Sequence, residues 1–388
     1  MKILYYCWDE ITAADFIDVV QKMGYALDIF KYPINDKLND ENFATILKNK
    51  ISSKCYDCIF TFNFFPIISK VAEELHIKYV SWIYDSPHLT LYSTAVFNSY
   101  NYIFHFDSAE VFRLQSAGVT NIYHMPLAVN VEKYKKLGDF SAQTDITYEH
   151  NITFLGSLYN DQYNFYDQIK SIPDYYRGFF DCIINTQMNI FGYDLASDLI
   201  RQHLNTATLN TFAAFNLDKE IFADDMDIFI QIIQKKITNV ERINILNKLS
   251  EAGFSVSHYG PTSDASLRNV KFHGYADYDR QMPHIFRNSK INLNISLRSI
   301  LSGIPLRCLD IMASGGFLIS NYQPELAEYF ENGIDLVMYE SLDDLLTKTE
   351  YYLSHGSERK EIAYNGRNKV FKHLSYENQL QRIFDILT

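Results

Sequence analysis

The segment from Ile291 to Tyr322 contains residues whose types and spacing suit diphosphate binding. An apolar run predicts a strand, and a loop rich in serine and glycine follows it. Arg307 begins a predicted amphipathic helix that also carries Asp310, and Gly315-Gly316 precede a second apolar run. A guanidinium beside a helix N-terminus can clamp phosphate oxygens in bidentate fashion, and a carboxylate one turn further can accept hydrogen bonds from sugar hydroxyls. The alternative is an ordinary βαβ unit with Arg307 in a surface ion pair.

Further candidate polar groups lie both outside and inside this segment. Gly156 ends the run NITFLG and Ser157 follows it; a glycine here allows close backbone approach to a phosphate, and the hydroxyl can donate a hydrogen bond. A plain tight turn explains this pair equally well. Asn294 and Arg298 flank the glycine-bearing loop, although Asn294 alternates with apolar residues and so also suits a polar sheet face.

Composition limits the class of protein. The chain has 388 residues, of which 47% are hydrophobic and 21% charged, enough for two packed cores with little disorder. A net charge of −12 argues against a nucleic-acid surface but allows a nucleotide ligand. The five scattered cysteines fit a reducing compartment. No signal peptide or apolar run of about 18 residues is present, so we expect a cytoplasmic protein without a transmembrane segment.

The order of predicted elements indicates an α/β protein with two domains. Residues 1–130 alternate strand and helix patterns, which predicts a parallel, doubly wound sheet. Residues 130–150 are polar and read as a linker. Residues 151–374 form a second α/β domain in this interpretation, with a helical insert at about 161–252, because that stretch is too long for a simple crossover. A further amphipathic helix is predicted within residues 375–388.

Several sequence motifs of the chain also resemble those of a known family, the spore maturation protein CgeB-like glycosyltransferases. In the C-terminal half the resemblance lies in LNISLRS, GIPLRCLDIMASGGFLISNY, PELAEYFENG and HLSYENQLQRI. In the N-terminal half it lies in WIYDSPH, IFHFD and YHMPLA. The resemblance implies a GT-B fold, with two Rossmann-like domains facing a cleft and the last helix packing back on the first domain. It also implies transfer of a sugar from a nucleotide-sugar donor bound by the C-terminal domain.

The resemblance further suggests that the loops containing His258 to Gly260 and His273 to Tyr275 border the nucleobase and ribose. The following residues are then the candidates for donor binding: Gly156, Ser157, Tyr259, His273, Gly274, Tyr275, Asn294, Arg298, Arg307, Asp310 and Asn321. Many retaining GT-B enzymes carry two glutamates that are separated by seven intervening residues across this loop and helix. Here Ser302 and Asp310 occupy those positions, which leaves the stereochemistry open.

The candidates for catalysis lie in the N-terminal half. Asp85 and His88 follow the predicted strand YVSWIY, and either side chain can take the proton of an acceptor hydroxyl. The alternative for Asp85 is a turn in which it caps the backbone of Asp-Ser-Pro. We expect no metal site, because the sequence shows no His/Asp cluster with metal-ligand spacing, and because the GT-B enzymes that the resemblance points to usually need no metal.

The sequence therefore predicts a metal-independent glycosyltransferase. Its donor substrate is a nucleotide-diphosphate sugar, no separate cofactor is expected, and its acceptor is a hydroxyl of a glycan or a protein. Two alternatives remain open at this point. One is a non-catalytic protein that binds a nucleotide-sugar or a polymer in an assembly, and the other is a GT-B epimerase that acts on the nucleotide-sugar itself.

Overall fold

The computed structural model describes residues 1–141, 143–162 and 164–387, and the chain forms two compact units. Unit 1 consists of Met1–Asn130, Asn216–Asp224 and Leu374–Thr388. Unit 2 consists of Val131–Phe215 and Asp225–His373. Among the described helices, none is both long and apolar enough to cross a membrane.

Unit 1 contains a six-stranded parallel sheet in the order β2-β1-β3-β4-β5-β6. Its strands are β1 (Lys2–Tyr6), β2 (Ala26–Phe30), β3 (Cys58–Phe62), β4 (Lys78–Ile83), β5 (Asn101–His105) and β6 (Ile122–His124). The helices between them are α1 (Ala13–Lys22), α2 (Glu41–Ser52), α3 (Pro66–Glu74) and α4 (Ser108–Ser116), and two 3₁₀ turns span Leu89–Tyr92 and Thr94–Phe97. Every residue of the central strand β3 is buried, as expected for a parallel strand covered on both faces.

Unit 2 contains a second six-stranded parallel sheet, in the order β12-β11-β10-β7-β8-β9. Its strands are β7 (His150–Leu155), β8 (Val256–Tyr259), β9 (Val270–Phe272), β10 (Ser289–Asn294), β11 (Leu318–Asn321) and β12 (Val337–Tyr339). Its helices are α5 (Val131–Lys135), α6 (Asp174–Gln187), α7 (Leu195–His203), α8 (Thr206–Leu209), α9 (Asp225–Glu251), α10 (Met282–Arg287), α11 (Leu306–Ala313), α12 (Pro324–Tyr329), α13 (Leu342–Ser354) and α14 (Gly356–His373), with a 3₁₀ turn at Tyr166–Gln168. The predicted fold class, two Rossmann-like α/β domains with helices inserted in the second, is confirmed.

The inserted helices have a hydrophobic core of their own. Phe180 of α6 and Ile200 of α7 pack there with Phe229 of α9. Farther along α9, Ile245 and Leu249 belong instead to the core of the sheet. The long helix α9 therefore joins the insert to the sheet of unit 2.

The last helix, α15 (Tyr376–Leu387), belongs to unit 1. Leu380 and Ile383 are buried in the same core as residues of α1 and β3. The Tyr376 hydroxyl lies 2.7 Å from the Tyr84 hydroxyl, directly after β4. The C-terminal helix is thus fixed both by apolar packing and by a hydrogen bond near the end of a central strand.

Two segments are placed differently from the expected domain boundaries. Residues 216–224, within the expected insert, belong to unit 1, because Ile221 forms an antiparallel bridge with Ser93 and Glu220 pairs with Lys70 at 2.6 Å. Residues 131–149, expected as part of a linker, belong to unit 2, where Tyr134 and Phe140 are buried. Both placements depend on contacts between residues far apart in sequence, which local periodicity does not reveal.

Candidate functional site

The carboxyl ends of all six strands of unit 2 lie at one edge of its sheet, because the strands are parallel. Open α/β sheets bind ligands at this edge. The candidate donor-binding residues are the last residues of strands at this edge, residues of the loops after β7, β9 and β10, and two residues of helix α11. The structure thus brings these residues to one edge of unit 2, although many of their side chains are engaged within the protein.

Arg307 lies in the first turn of α11, and its side chain is 29% exposed. Its Nη1 contacts the Met282 sulfur and lies 3.5 Å from Asp310 Oδ2, while its guanidinium stands 5.6 Å from the centre of the Phe286 ring. The cation is therefore oriented by weak contacts on one side and open to solvent on the other. A partly exposed guanidinium in the first turn of a helix can bind an anion.

Asp310, in contrast, is almost completely buried. Its Oδ1 accepts hydrogen bonds from the hydroxyls of Tyr134 at 2.8 Å and Tyr278 at 3.1 Å. Burial raises the pKa of Asp310, while nearby Arg307 acts in the opposite direction. The carboxylate therefore holds α5 and the loop before α10 against α11, and its predicted bond to a ligand hydroxyl would require one of these partners to give way.

Arg298 forms a nearly buried ion pair with Glu241. Its Nε and Nη2 donate to the two carboxylate oxygens at 2.7 and 2.6 Å, and Nη1 donates to the carbonyl of Ile190 at 2.7 Å. These bonds join the loop after β10 to α9 and to the segment after α6. The guanidinium is thus used inside unit 2, and a role for Arg298 in ligand binding remains only a prediction.

Two buried asparagines form hydrogen bonds that support the loop after β10. Asn294 donates to the hydroxyls of Ser296 at 3.0 Å and Ser320 at 2.9 Å. Asn321 accepts a bond from the backbone N–H of Ser296 at 2.8 Å. Both side chains are buried, so they set the path of the loop backbone.

The loops after β7 and β8 approach each other closely. The Gly156 carbonyl accepts a hydrogen bond from His258 Nε2 at 3.0 Å, and the Gly156 N–H donates to the Tyr259 carbonyl at 2.9 Å. A Cβ at position 260 would lie 2.6 Å from the Gly156 carbonyl oxygen. Glycine at 260 is therefore required by this backbone approach.

Arg242 of α9 hydrogen-bonds to loops at the same edge of the sheet. It was not among the predicted residues. It is buried, and it donates to the carbonyls of Ser157 at 2.6 Å and Ile295 at 3.1 Å. Burial lowers the pKa of Arg242. The sequence carried a signal, because Arg242 stands one helical turn before Ile245 and so falls on the apolar face of its helix.

Tyr259 and His273 are brought together at the ends of β8 and β9. Their rings stack with centres 4.5 Å apart, and the Tyr259 hydroxyl lies 2.9 Å from His150 Nε2. Partial burial lowers the pKa of His273. Gly274 adopts a left-handed conformation with φ of 82°, and Tyr275 after it is 72% exposed. Tyr275 thus offers an open ring beside the stacked pair.

In unit 1, Asp85 is exposed at the second position after β4, and it is held by Asn63, a residue that sequence reasoning missed. Asn63 Nδ2 donates to Asp85 Oδ2 at 2.7 Å, while Asn63 Oδ1 accepts from the backbone of Tyr84 at 3.0 Å. Asn63 itself has φ of 62°, a conformation that asparagine tolerates better than most residues. Its place at the end of the apolar run CIFTF was the available signal.

His88 follows Asp85 in the same loop and donates from Nε2 to the Phe64 carbonyl at 3.2 Å. Burial lowers the pKa of His88 to about 4, so the ring is neutral at neutral pH. Its Nδ1 is then the nitrogen that can accept a proton. In the described residues, no group of three or more His, Cys, Asp and Glu side chains is arranged to hold a metal ion.

Comparisons with known proteins agree with this architecture. Residues 242–385 match a family model described as glycosyl transferase-like. The match includes the loops after β8 to β11 and helix α11, and it therefore includes Arg307 and Asp310. A search of curated proteins found no significant match.

Solved structures share the fold over the whole chain. A glycosyltransferase from Rickettsia africae ESF-5 aligns with a TM-score of 0.56 at 12% identity, covering 100% of this chain and 97% of that one. Anabaena Alr3699/HepE in complex with UDP-glucose aligns with a TM-score of 0.52 at 11% identity, covering 100% and 99%. The N-terminal domain of Candida albicans trehalose-6-phosphate phosphatase aligns with a TM-score of 0.54 at 10% identity, covering 100% and 96%. The chain therefore has the GT-B architecture, and the differing names of these neighbours show that the fold alone does not define an activity.

Proposed function

We propose that this chain is a glycosyltransferase of the GT-B class, similar to the CgeB-like proteins. It transfers a sugar, such as a hexosyl group, from a nucleotide-diphosphate sugar to a hydroxyl of a glycan or a protein. The observation that carries the proposal is the glycosyl transferase-like match of residues 242–385, within which the partly exposed Arg307 stands at the N-terminus of α11.

Unit 2 is proposed to bind the donor. The guanidinium of Arg307 and the N-terminus of α11 bind the diphosphate, and the backbone of Gly156 and Ser157 lies at the same sheet edge. Tyr259, His273 and Tyr275 offer the aromatic surface that a nucleobase requires. As the bond between the anomeric carbon and the diphosphate breaks, Arg307 and the helix dipole stabilise the negative charge on the leaving group. This arrangement supports transfer without a metal ion.

Unit 1 is proposed to act on the acceptor. The hydroxyl oxygen of the acceptor attacks the anomeric carbon of the donor sugar and forms the new glycosidic bond. The hydroxyl proton passes to a base. Asp85 is the first candidate, because it is exposed and its carboxylate is oriented by Asn63. His88 is the second, through Nδ1, since its Nε2 is used by the Phe64 carbonyl. Asn63 is then a positioning residue for Asp85.

The first experiment is a thermal-shift screen with UDP-, GDP-, dTDP- and CMP-sugars. UDP-glucose heads the screen because a structural neighbour binds it, and CMP-sugars, which contain one phosphate, serve as the control for diphosphate recognition. A ligand at 100 times its Kd stabilises the fold by about 2.7 kcal/mol. A diphosphate sugar should therefore raise the melting temperature, and the absence of a shift with every donor would contradict the proposal.

Turnover of the donor then separates the transferase from the two other functions. We expect nucleoside diphosphate to be released in the presence of EDTA, because no metal is required. A protein that only binds nucleotide-sugar would release none. An epimerase would convert the donor without release and without an acceptor. Either of these results, obtained with a donor that binds, would exclude the proposed reaction.

A further inference from the structure

Trp8 is an exposed aromatic residue at the carboxyl edge of the unit 1 sheet. It is the second residue after β1, and 41% of its surface is exposed. Its indole Nε1 donates a hydrogen bond to the carbonyl of Phe62, the last residue of β3, at 3.1 Å. The edge of the Phe65 ring lies against it, with ring centres 6.3 Å apart. The indole is therefore fixed on one side, although it is open to solvent on the other.

The loop that carries Trp8 is also fixed at its backbone. The backbone N–H of Trp8 donates to the Glu10 carboxylate at 3.0 Å, and Glu10 in turn accepts a hydrogen bond from Tyr5 in the core. Burial raises the pKa of Glu10. The exposed indole thus stands on a rigid base, which reduces the entropy lost when a ligand binds it.

A fixed carboxylate lies two strands from Trp8 at the same edge. The sheet order places β1, β3 and β4 side by side. Trp8 follows β1 and binds Phe62 at the end of β3, Asn63 follows Phe62, and Asn63 binds the exposed Asp85 after β4. The last residue of β3 and the residue after it therefore hold an aromatic side chain and a hydrogen-bonding carboxylate, respectively.

We infer that Trp8 and Asp85 form a carbohydrate-binding subsite in unit 1 whose ligand is a pyranose. A pyranose ring presents C–H groups on its face and hydroxyls around its rim. An indole face matches the first and excludes water from it, while a carboxylate accepts bonds from the second. Aromatic packing joined to a few fixed polar groups is the usual pattern of a small-ligand site.

This inference narrows the acceptor of the proposed reaction to a glycan rather than a protein side chain. That part rests on the proposed function, whereas saccharide binding by Trp8 does not. The two can therefore fail separately. Donor binding tests the transferase, and glycan binding by the chain without donor tests the subsite.

A printed glycan array, with gluco-, galacto-, manno- and N-acetylhexosamine-terminated glycans, is the first test. We expect wild-type protein to be retained by a subset of glycans, and Trp8→Ala to reduce retention at least tenfold. Phe112→Ala is the matched control, because Phe112 is a 72% exposed aromatic residue on α4 of the same unit. It should leave retention unchanged. Equal retention of wild type and Trp8→Ala would overturn the inference.

Tryptophan fluorescence provides the second test. The chain has two tryptophans, and Trp82 is fully buried, so Trp8 is the tryptophan that an added sugar can reach. The best glycan of the array should change the emission of wild-type protein in a saturable manner, and Trp8→Phe should abolish this change. A change that persists in Trp8→Phe would contradict contact with Trp8.

The remaining outcome is also decisive. If wild-type protein binds a diphosphate sugar but is retained by no glycan on the array, the subsite is rejected and the proposed transferase function survives. If glycans are bound but no donor is, the subsite survives and the transferase function is rejected. In active protein, Trp8→Ala should raise the KM for the acceptor while the KM for the donor stays the same.

Discussion

The side chains at the carboxyl edges of the two sheets differ in how far they are paired within the protein. In unit 2, the ionic groups are largely paired within the protein, as Arg298 with Glu241 and Asp310 with two tyrosine hydroxyls. In unit 1, Asp85 and Trp8 are open to solvent and are each oriented by a hydrogen bond at the carboxyl end of β3. Substitutions of the paired groups Arg298 and Asp310 should therefore mainly change stability, whereas a substitution of Arg307 should change donor binding. Substitutions of Asp85 and Trp8 should mainly change function.

The largest expected effect belongs to Asp85→Asn. If the carboxylate is the base, transfer should slow by about 10²- to 10⁴-fold, since this is the usual contribution of general acid–base catalysis. Donor affinity and melting temperature should stay near wild type, because the amide keeps the size of the side chain and a carbonyl oxygen for Asn63. Transfer rate, donor titration and thermal melting on this variant check the prediction. Normal turnover would remove Asp85 from catalysis.

Arg298→Ala tests whether the internally paired groups of unit 2 stabilise the fold. It leaves the buried Glu241 carboxylate without its bidentate partner, and breaking such a pair costs about 3–5 kcal/mol. The free energy of unfolding, measured by urea titration, should fall by this amount. Lys248→Ala, which breaks an exposed pair with Glu251, is the control and should cost at most about 1 kcal/mol. Equal losses of unfolding free energy in the two variants would show that the buried Arg298–Glu241 pair contributes no more to stability than the exposed pair.

Gly260→Ala tests the close approach of the loops after β7 and β8. The added Cβ meets the Gly156 carbonyl oxygen, and overpacking of this kind costs about 1–3 kcal/mol. Gly178→Ala is the matched control, because a Cβ there meets no atom within 4 Å and the position lies inside helix α6. It should stabilise the protein by about 1 kcal/mol. Changes of the same sign in both variants would contradict the steric account.

A pH titration examines the buried histidine of unit 1. Burial lowers the pKa of His105 to about 3, and its Nδ1 accepts a bond from the Asp107 N–H at 3.0 Å. His88 and His124 are the other titratable groups that influence it. The folded pKa lies below the unfolded value of about 6.5. The stabilisation is therefore complete above pH 6.5 and is lost as pH falls toward 3.

His105→Asn keeps an acceptor for Asp107 but removes the titrating ring. Urea unfolding between pH 7 and pH 4.5 should show a steeper loss in wild type, by up to about 1.4 kcal/mol per pH unit. Identical pH dependence in the two proteins would contradict the assignment of acid sensitivity to His105.

The sequence predicted the elements of the fold well because their signals are local. Alternating apolar runs and helical periodicity defined both sheets, and Pro66 stands at the first position of α3, where a proline favours the start of a helix. The partners of the site residues were less accessible. Asp310 binds Tyr134, 176 residues away in sequence, and no local pattern connects them. For the same reason the position of residues 216–224 in unit 1 was not foreseen.

The sequence identified residue types that suit ligand binding, but it did not show which of their side chains are engaged within the protein. Arg298 and Arg307 belong to the same segment and look equivalent in sequence. The structure separates them, because Arg298 lies within reach of Glu241 on α9, whereas Arg307 retains an exposed guanidinium. This distinction depends on the packing of α9, which only the tertiary structure supplies.

The central claim, donor binding by unit 2 through Arg307, is tested most directly by calorimetric titration with the diphosphate sugar selected in the thermal-shift screen. Arg307→Ala should weaken donor binding by about 2–3 kcal/mol, the scale of a charge-assisted hydrogen bond. Arg307→Lys should recover only part of this loss, because the bidentate fork is absent. Arg268→Ala, a change at an exposed arginine of the same unit, should leave affinity unchanged. Unchanged donor affinity in a folded Arg307→Ala protein would contradict the account.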